Sequence, residues 1–147
     1  MTLLDLINNT TALSTFKKDG TDDQAIADIL NTKNVPTVDS ISGNEFLTWA
    51  TPLGVRADIE SWKTDPDKIV RSIGLSLQDI ILRQGGIINF SDSNNVVMLN
   101  YLVSNGKLDA NNKASLLAAS TINKSLAEIN LGRLVTASDV SIALRGN

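Results

Sequence analysis

The sequence predicts an all-α fold, a single compact helical domain over residues 1–147 with about seven to nine short helices. Two observations predict it. Helix start and stop signals recur along the chain, and apolar residues follow many of them at spacings of three and four. Aromatic residues are only 4% of the chain, so the core must be mainly Leu, Ile, Val and Ala, which suits closely packed helices. We expect residues 1–20 to pack more loosely, and residues 86–90 to form either one short extended segment or a buried linker.

The clearest helix boundaries lie in the C-terminal half. A helix is predicted to finish near Ser104, since Gly106 suits the left-handed conformation that follows a helix end. Asp109 then offers a side-chain oxygen to the free N–H groups of the next helix. Residues 125–128 favour one more short helical turn, and Thr136 with Asp139 forms a capping box ahead of the last helix. This part is therefore predicted as a series of short, separately capped helices.

The N-terminal part is predicted with fewer boundaries. Residues 3–7 are expected to form a short amphipathic helix and residues 10–20 a loop. Residues 21–24 have the pattern of a capping box ahead of an apolar stripe at helical spacing. That helix should stop near Thr32, before a loop over residues 33–40 that contains Pro36.

The middle of the chain should hold the centre of the core. Residues 42–45 form a capping box, residues 53–63 a helix, and Asp65 is the predicted cap of a long helix over residues 66–84. That long helix is predicted to bury one face, consisting of Ile69, Ile73, Leu77, Ile80 and Ile81. Gly74 in its middle predicts close approach by a neighbouring helix.

The segment after this helix leaves alternatives open. Gly85 and Gly86 should end the helix, and residues 87–90 are either an extended strand or a buried linker. Ser93 or Asp92 should cap the next helix. Its apolar face would comprise Val96, Leu99, Leu102 and Val103.

The residue types present exclude several kinds of chemistry. The chain has no His and no Cys, which removes Ser-His-Asp and Cys-His nucleophiles, the usual zinc ligand sets and disulfides. We therefore predict no cofactor and no metal site. The residue types present still allow a metal site made only of carboxylates, or a hydrolase that uses a pair of carboxylates. Asp58 and Glu60, which are two residues apart, would point to different sides of a helix, and this disfavours a catalytic pair.

Three further patterns favour helix capping over ligand binding. The Gly85-Gly86 doublet follows a helix, so it does not fit a phosphate-binding loop. Residues 19–23, 92–95 and 109–112 lack the alternating ligands and the closing Glu of a calcium loop. We expect no catalytic residue among these segments, and hence no enzyme and no small-molecule substrate.

The charge and hydropathy of the chain disfavour some classes of partner. The net charge is -3 and the densest basic pair is Lys17-Lys18, whereas a nucleic-acid binder normally shows a basic stripe. No apolar run approaches the roughly 20 residues that span a bilayer. The first residues do not resemble a signal peptide. We expect a protein that stays in the cytoplasm or enters a particle assembled there, with neither a membrane nor a nucleic acid as its partner.

Trp49 and Trp62 are the two candidate interface residues, because tryptophan is enriched at the energetic centres of protein interfaces. Both lie in phase with apolar neighbours, Trp49 with Phe46 and Trp62 with Ile59. That phase favours core packing, given the area that an indole buries.

The C-terminal half resembles a group of small helical proteins encoded by tailed bacteriophages and prophages. The resemblance is carried by residues 103–109, 113–118, 125–128, 131–132 and 135–140, and upstream by residues 65–66, 70–73 and Leu75. It covers roughly residues 46–144. Members of this group are encoded among or beside virion structural genes. The resemblance implies no active-site residue in this chain.

What the resemblance implies is a virion structural or assembly protein that contacts other virion proteins in multiple copies. Its location would then be the phage particle, assembled in the host cytoplasm. The alternative is a phage-encoded inhibitor of a host enzyme or defence system, since such proteins are also small, acidic and without recognisable motifs. The aspartates here are spread through helix caps, which disfavours an acidic face that imitates nucleic acid.

Overall fold

The computed structural model describes residues 1–146, which are mostly helical and include two small antiparallel sheets. The helices are α1 Leu3–Asn9, α2 Asp23–Asn31, α3 Gly43–Ala50, α4 Val55–Trp62, α5 Lys68–Leu82, α6 Ser93–Ser104, α7 Ala110–Ala119, α8 Leu126–Leu131 and α9 Ala137–Arg145, with a 3-10 turn at Thr11–Leu13. The strands are β1 Val35–Val38, β2 Ser40–Ser42, β3 Ile87–Asn89 and β4 Thr121–Lys124. The helical prediction is confirmed, and the purely all-α prediction is wrong.

The chain divides into two compact units. The first unit joins residues 1–37 to residues 123–147, and the second is the continuous stretch 38–122. Strands β1 and β4 lie where the chain passes from one unit to the other. Each unit has its own cluster of buried hydrophobic residues. The single domain expected from chain length stays a prediction.

The core of the first unit is aliphatic and is formed by α1, α2, α8, α9 and the 3-10 turn. Its buried members are Leu6, Ile7, Leu13, Ile26, Ala27, Leu30, Ala127, Val135 and Val140. Three of these belong to residues 1–20, where α1 begins in a capping box between Thr2 and Asp5. A Thr side chain that bonds the N3 amide, with an N3 carboxylate that bonds back, satisfies two free helix donors at once.

The capping box predicted at residues 21–24 is wrong. Helix α2 begins after Asp22, whose side chain makes no cap hydrogen bond. Its Oδ2 instead accepts from the backbone N–H of Lys17 at 2.7 Å. The neighbouring Asp23 pairs with Arg145 in α9. The carboxylates of this segment thus bind more distant partners, so the local capping pattern is not realised.

The second unit holds the aromatic core. Its buried residues are Ile41, Phe46, Ala50, Val55, Ile59, Trp62, Val70, Ile73, Ile88, Phe90, Leu99, Leu102, Leu108 and Leu116. Strands β2 and β3 pair in antiparallel register, with Ile41 opposite Ile88 and both side chains buried. This confirms an extended strand after Gly86. The loop predicted for residues 33–40 is wrong, since β1 and the start of β2 occupy it.

Helix α5 begins later than predicted. The cap is Asp67, whose side chain accepts from the N–H of Ile69 at 2.8 Å, while Asp65 accepts from the N–H of Asp67. Val70, Ile73 and Gly74 form the centre of the buried face, and Ile69 is 43% exposed, so its predicted burial is wrong. The helix begins later because Asp65 forms an ion pair with Lys107, and Asp67 caps the helix instead.

Several other predicted boundaries are confirmed. Helix α6 ends at Ser104 and Gly106 has a φ of +67°. Asp109 accepts from the backbone N–H groups of Asn111 and Asn112. Capping boxes are present at Ser42, Ser125 and Thr136. These are positions where the signal and its hydrogen-bond partner lie within three residues, so local sequence decides the outcome.

Candidate functional site

One surface feature of the second unit is a shallow groove between α5 and α6. It has a volume of about 310 Å³ and is lined by Lys68, Ile69, Ser72, Ile73, Ser76 and Met98. Ile69 and Met98 are exposed on its two sides, at 43% and 37% of their full areas. Ser72 and Ser76 lie four residues apart on α5, so their short side chains form one flank of the groove. We call this feature the α5–α6 groove.

An apolar cavity lies next to the groove in the same unit. Its volume is about 170 Å³, and Ser76 and Met98 border both features. The buried side chains of Trp62, Leu99, Leu102 and Leu116 are part of its lining, together with residues of β3. Its polar neighbours are serine and asparagine, and no charged residue in the described part of the chain lines it. We call this feature the aromatic cavity.

Two glycines allow the elements around the cavity to approach closely. At Gly74 a Cβ atom would lie 2.9 Å from the Cβ of Trp62 and 3.0 Å from the backbone nitrogen of Lys63. This confirms the close approach of a neighbouring helix, which is α4. At Gly86 a Cβ would overlap the carbonyl oxygen of Ile80, so β3 runs directly against the C-terminal end of α5. Only residues without a side chain fit at these two points.

A polar cluster fixes the start of α5 relative to α6 and the turn that follows it. Lys107 Nζ donates to Asp65 Oδ2 at 2.6 Å, and the Tyr101 hydroxyl donates to Asp67 Oδ2 at 2.7 Å. The hydrogen bond from Lys107 is the main cause of the lowered pKa of Asp65. The hydrogen bond from Tyr101 is the main cause of the lowered pKa of Asp67. Both aspartates are therefore held as anions that position helices, and neither is free to act as an acid near neutral pH.

The two tryptophans lie in different environments of the second unit. Trp62 is only 3% exposed and belongs to the core, where its Cβ faces Gly74. Trp49 is half-buried; its Nε1 donates to Ser115 Oγ at 2.8 Å, and its ring centroid lies 5.3 Å from that of Phe46. Both rings line the aromatic cavity. Their role as interface residues stays a prediction.

Three glutamates, Glu45, Glu60 and Glu128, have structural partners in the fold. Glu45 closes the capping box of α3, Glu60 pairs with Lys63 at 2.6 Å, and Glu128 both closes the cap of α8 and pairs with Lys33. The pKa of Glu45 is lowered by its hydrogen bonds from Ser42 and that of Glu128 by its bonds from Ser125 and Lys33. A general acid at neutral pH needs a raised pKa, so Glu45 and Glu128 are suited to holding helix ends rather than to acid catalysis.

Metal and membrane sites were sought over the described residues. No group of three or more carboxylates within residues 1–146 could hold a metal ion. No helix among these residues is long and apolar enough to cross a bilayer.

Comparison with known proteins gives no relative. No family, curated sequence or solved structure matches this chain.

Sequence reasoning missed the groove residues Ile69 and Met98. A usable signal was present on α5, where apolar residues also include Val70, Leu75 and Leu82 and together span more of the helix than one buried face. An apolar arc wider than the core requires leaves some members at the surface. For Met98 no such signal exists, since its exposure depends on how α6 lies against α5.

Proposed function

We propose that this chain is a structural or assembly component of a tailed-phage particle, acting through contacts with other virion proteins in multiple copies. Two lines of support exist: an apolar surface suited to protein contact, and the resemblance of residues 46–144 to phage-encoded proteins. The α5–α6 groove is the single observation that carries the interaction part.

Three of the six residues that line the groove are apolar, namely Ile69, Ile73 and Met98. The centres of protein interfaces are depleted of charge and enriched in side chains such as Met. Ile69 and Met98 supply apolar area on either side, while Ser72 and Ser76 leave room for an incoming side chain. Among the lining residues only Lys68 is charged, and it lies in the first turn of α5.

A helix is the partner element that fits this shape. The groove is bounded by two helices, and an amphipathic helix can lay apolar residues at spacings of three and four into such a depression. The two serines lie at the same spacing on α5, so they can accommodate successive turns of a partner helix. Burial of Ile69 and Met98 would then contribute free energy of association in proportion to the apolar area removed from water.

The phage part of the proposal rests on residue patterns alone. The stretch from Val103 to Ala118 and the closing segment from Val135 to Val140 carry it, and both encode helix boundaries rather than chemistry. Asp109 and Asp139 act as cap groups in these segments, so their role there is to stabilise helix ends.

The test is quantitative mass spectrometry of purified particles of the phage or prophage that encodes the chain. We expect a fixed number of copies relative to the major capsid protein. Complete absence of the chain from particles, while infected cells express it, would contradict the proposal. That result would favour the inhibitor of a host enzyme or defence system.

A further inference from the structure

We propose that the aromatic cavity of the second unit binds a small, uncharged, apolar molecule of about six to eight non-hydrogen atoms. This inference goes beyond the proposed function, because it concerns a ligand inside one unit and needs no partner protein. It is carried by the volume of the cavity, the chemistry of its walls and the exposed residues at its border.

The volume sets the size of the ligand. The cavity measures about 170 Å³. An engineered cavity of about 150 Å³ lined by Leu, Ile and Phe stays dry and takes up benzene or xenon. A single six-membered ring, or a branched hydrocarbon of similar volume, therefore fits, and a fused bicyclic ring is too large without movement of the walls.

The chemistry of the walls selects an apolar ligand. Trp62, Leu99, Leu102 and Leu116 are buried, so the ligand would contact carbon on several sides. An ion placed there would lose its hydration without gaining a counter-charge, because no charged residue of the described chain lines the cavity. Benzene should therefore bind more tightly than benzoate.

Much of the hydrogen-bonding capacity around the cavity is already used. Trp49 Nε1 donates to Ser115, Asn95 Nδ2 donates to the carbonyl oxygen of Asn89, and Asn89 Oδ1 accepts from Ser91. A water molecule needs two to four polar partners to occupy a cavity. Water in the cavity would therefore be weakly held. A ligand that needs no hydrogen bonds can displace it.

The border of the cavity supplies a route of entry. Ser76 and Met98 are exposed on α5 and α6, and Ile87 on β3 is 60% exposed. Methionine is unbranched and has several rotatable bonds, so Met98 can move aside at low energetic cost. The ligand therefore reaches the cavity without unfolding of either helix.

The two methionines of the chain allow a direct test. We would label the full chain with methyl-13C methionine and titrate it with benzene, following the methyl signals by NMR. Met98 borders the cavity, whereas Met1 is 67% exposed and belongs to the other unit, so it serves as an internal control. We expect a saturable shift of the Met98 signal, no shift of Met1, and binding of benzoate at least about tenfold weaker, which corresponds to about 1.4 kcal/mol.

Two variants on α5 form a matched pair. Ser76→Phe places a ring at the border of the cavity, while Ser72→Phe places the same ring one turn earlier, outside the cavity lining. Both positions are exposed, so both variants should fold, as circular dichroism will verify. We expect Ser76→Phe to lose at least about tenfold in benzene affinity and Ser72→Phe to retain the wild-type value. No Met98 shift in the wild type, equal binding of benzoate, or equal effects of the two variants would each overturn the proposal.

Discussion

The two units reach stability by different means. In the first unit the buried core is aliphatic, and polar groups far apart in sequence hold it closed: Asn31 exchanges two hydrogen bonds with the backbone of Val135, and Arg145 pairs with Asp23. In the second unit the aromatic residues Phe46, Trp62 and Phe90 are buried. Its side-chain hydrogen bonds Tyr101–Asp67 and Lys107–Asp65 join residues that are closer in sequence, 34 and 42 positions apart. The groove and the aromatic cavity described above both lie in this second unit.

The two cores also differ in how their side chains fill space. Leu, Ile and Ala adjust to one another and fill space, as in the first unit. In the second unit four aromatic rings, those of Phe46, Trp49, Trp62 and Phe90, meet aliphatic side chains around an unfilled volume of about 170 Å³. The first unit therefore joins the two ends of the chain, and the second unit contains the groove and the cavity for which we propose binding.

The largest expected effect comes from equal truncations in the two cores. Leu30 and Leu102 are both almost fully buried, but Leu102 already borders the cavity. We expect Leu30→Ala to lower the free energy of unfolding by about 3–5 kcal/mol and Leu102→Ala by about 2–3 kcal/mol, because Leu102 has fewer neighbours to lose. Urea unfolding of both variants measures this. Equal losses would show that the cavity is filled in solution.

The second effect tests the helix contact at Gly74. Glycine to alanine in a helix normally stabilises by about 1 kcal/mol. Here the new Cβ would meet the backbone of α4, so we expect Gly74→Ala to destabilise by about 1–3 kcal/mol. Ser76→Ala on the same helix is the control, with a change within about 0.5 kcal/mol. A stabilised Gly74→Ala variant would refute the contact.

The third effect compares caps of one type in the two units. Ser42 and Ser125 each accept from the N–H of a glutamate three residues on, but Ser125 is fully buried and Ser42 is half-buried. We expect Ser125→Ala to cost about 2 kcal/mol and Ser42→Ala about 1 kcal/mol, since a buried N–H without a partner is not rescued by water. Thermal unfolding at pH 7 will separate the two, and the opposite order would argue that Ser125 is accessible.

The smallest effect is a pH dependence in the first unit. The Arg133 guanidinium, with help from Thr136, holds the pKa of Asp139 well below its ordinary value of 3.8. A depressed folded-state pKa stabilises above the unfolded pKa, and this stability is lost as the pH falls through the folded value. Asp139→Asn should thus lower the unfolding midpoint at pH 7 and converge on the wild type toward pH 2. Arg133→Gln should reproduce the convergence; a constant difference at all pH values would contradict this assignment.

The sequence predicted the helix boundaries that are decided by hydrogen bonds between residues close together in the chain. The caps at Ser42, Asp109, Ser125 and Thr136 each bond an amide two or three residues away, so the pattern alone was sufficient. The cap of α5 was misplaced because Lys107, 42 residues downstream, binds Asp65. Partners at that distance leave no trace in a local pattern.

The candidate site was less predictable than the helices. Gly74 was correctly linked to the close approach of a neighbouring helix, but strands β1 and β2 were missed, because each is only three or four residues long. The groove depends on which apolar residues of α5 remain outside the core, and the cavity depends on how the rings meet. Neither property is encoded in the spacing of residues along one helix.

The measurement that tests the central claim most directly is incorporation into particles of two variants on α5. Ile69 and Leu75 are similarly exposed, at 43% and 49%, but only Ile69 lines the α5–α6 groove. We would produce Ile69→Asp and Leu75→Asp in the phage genome and count the chain in purified particles by mass spectrometry. We expect wild-type copy number for Leu75→Asp and a loss of at least about tenfold for Ile69→Asp, the factor set by about 1.4 kcal/mol of lost contact. Equal incorporation of both variants would contradict it.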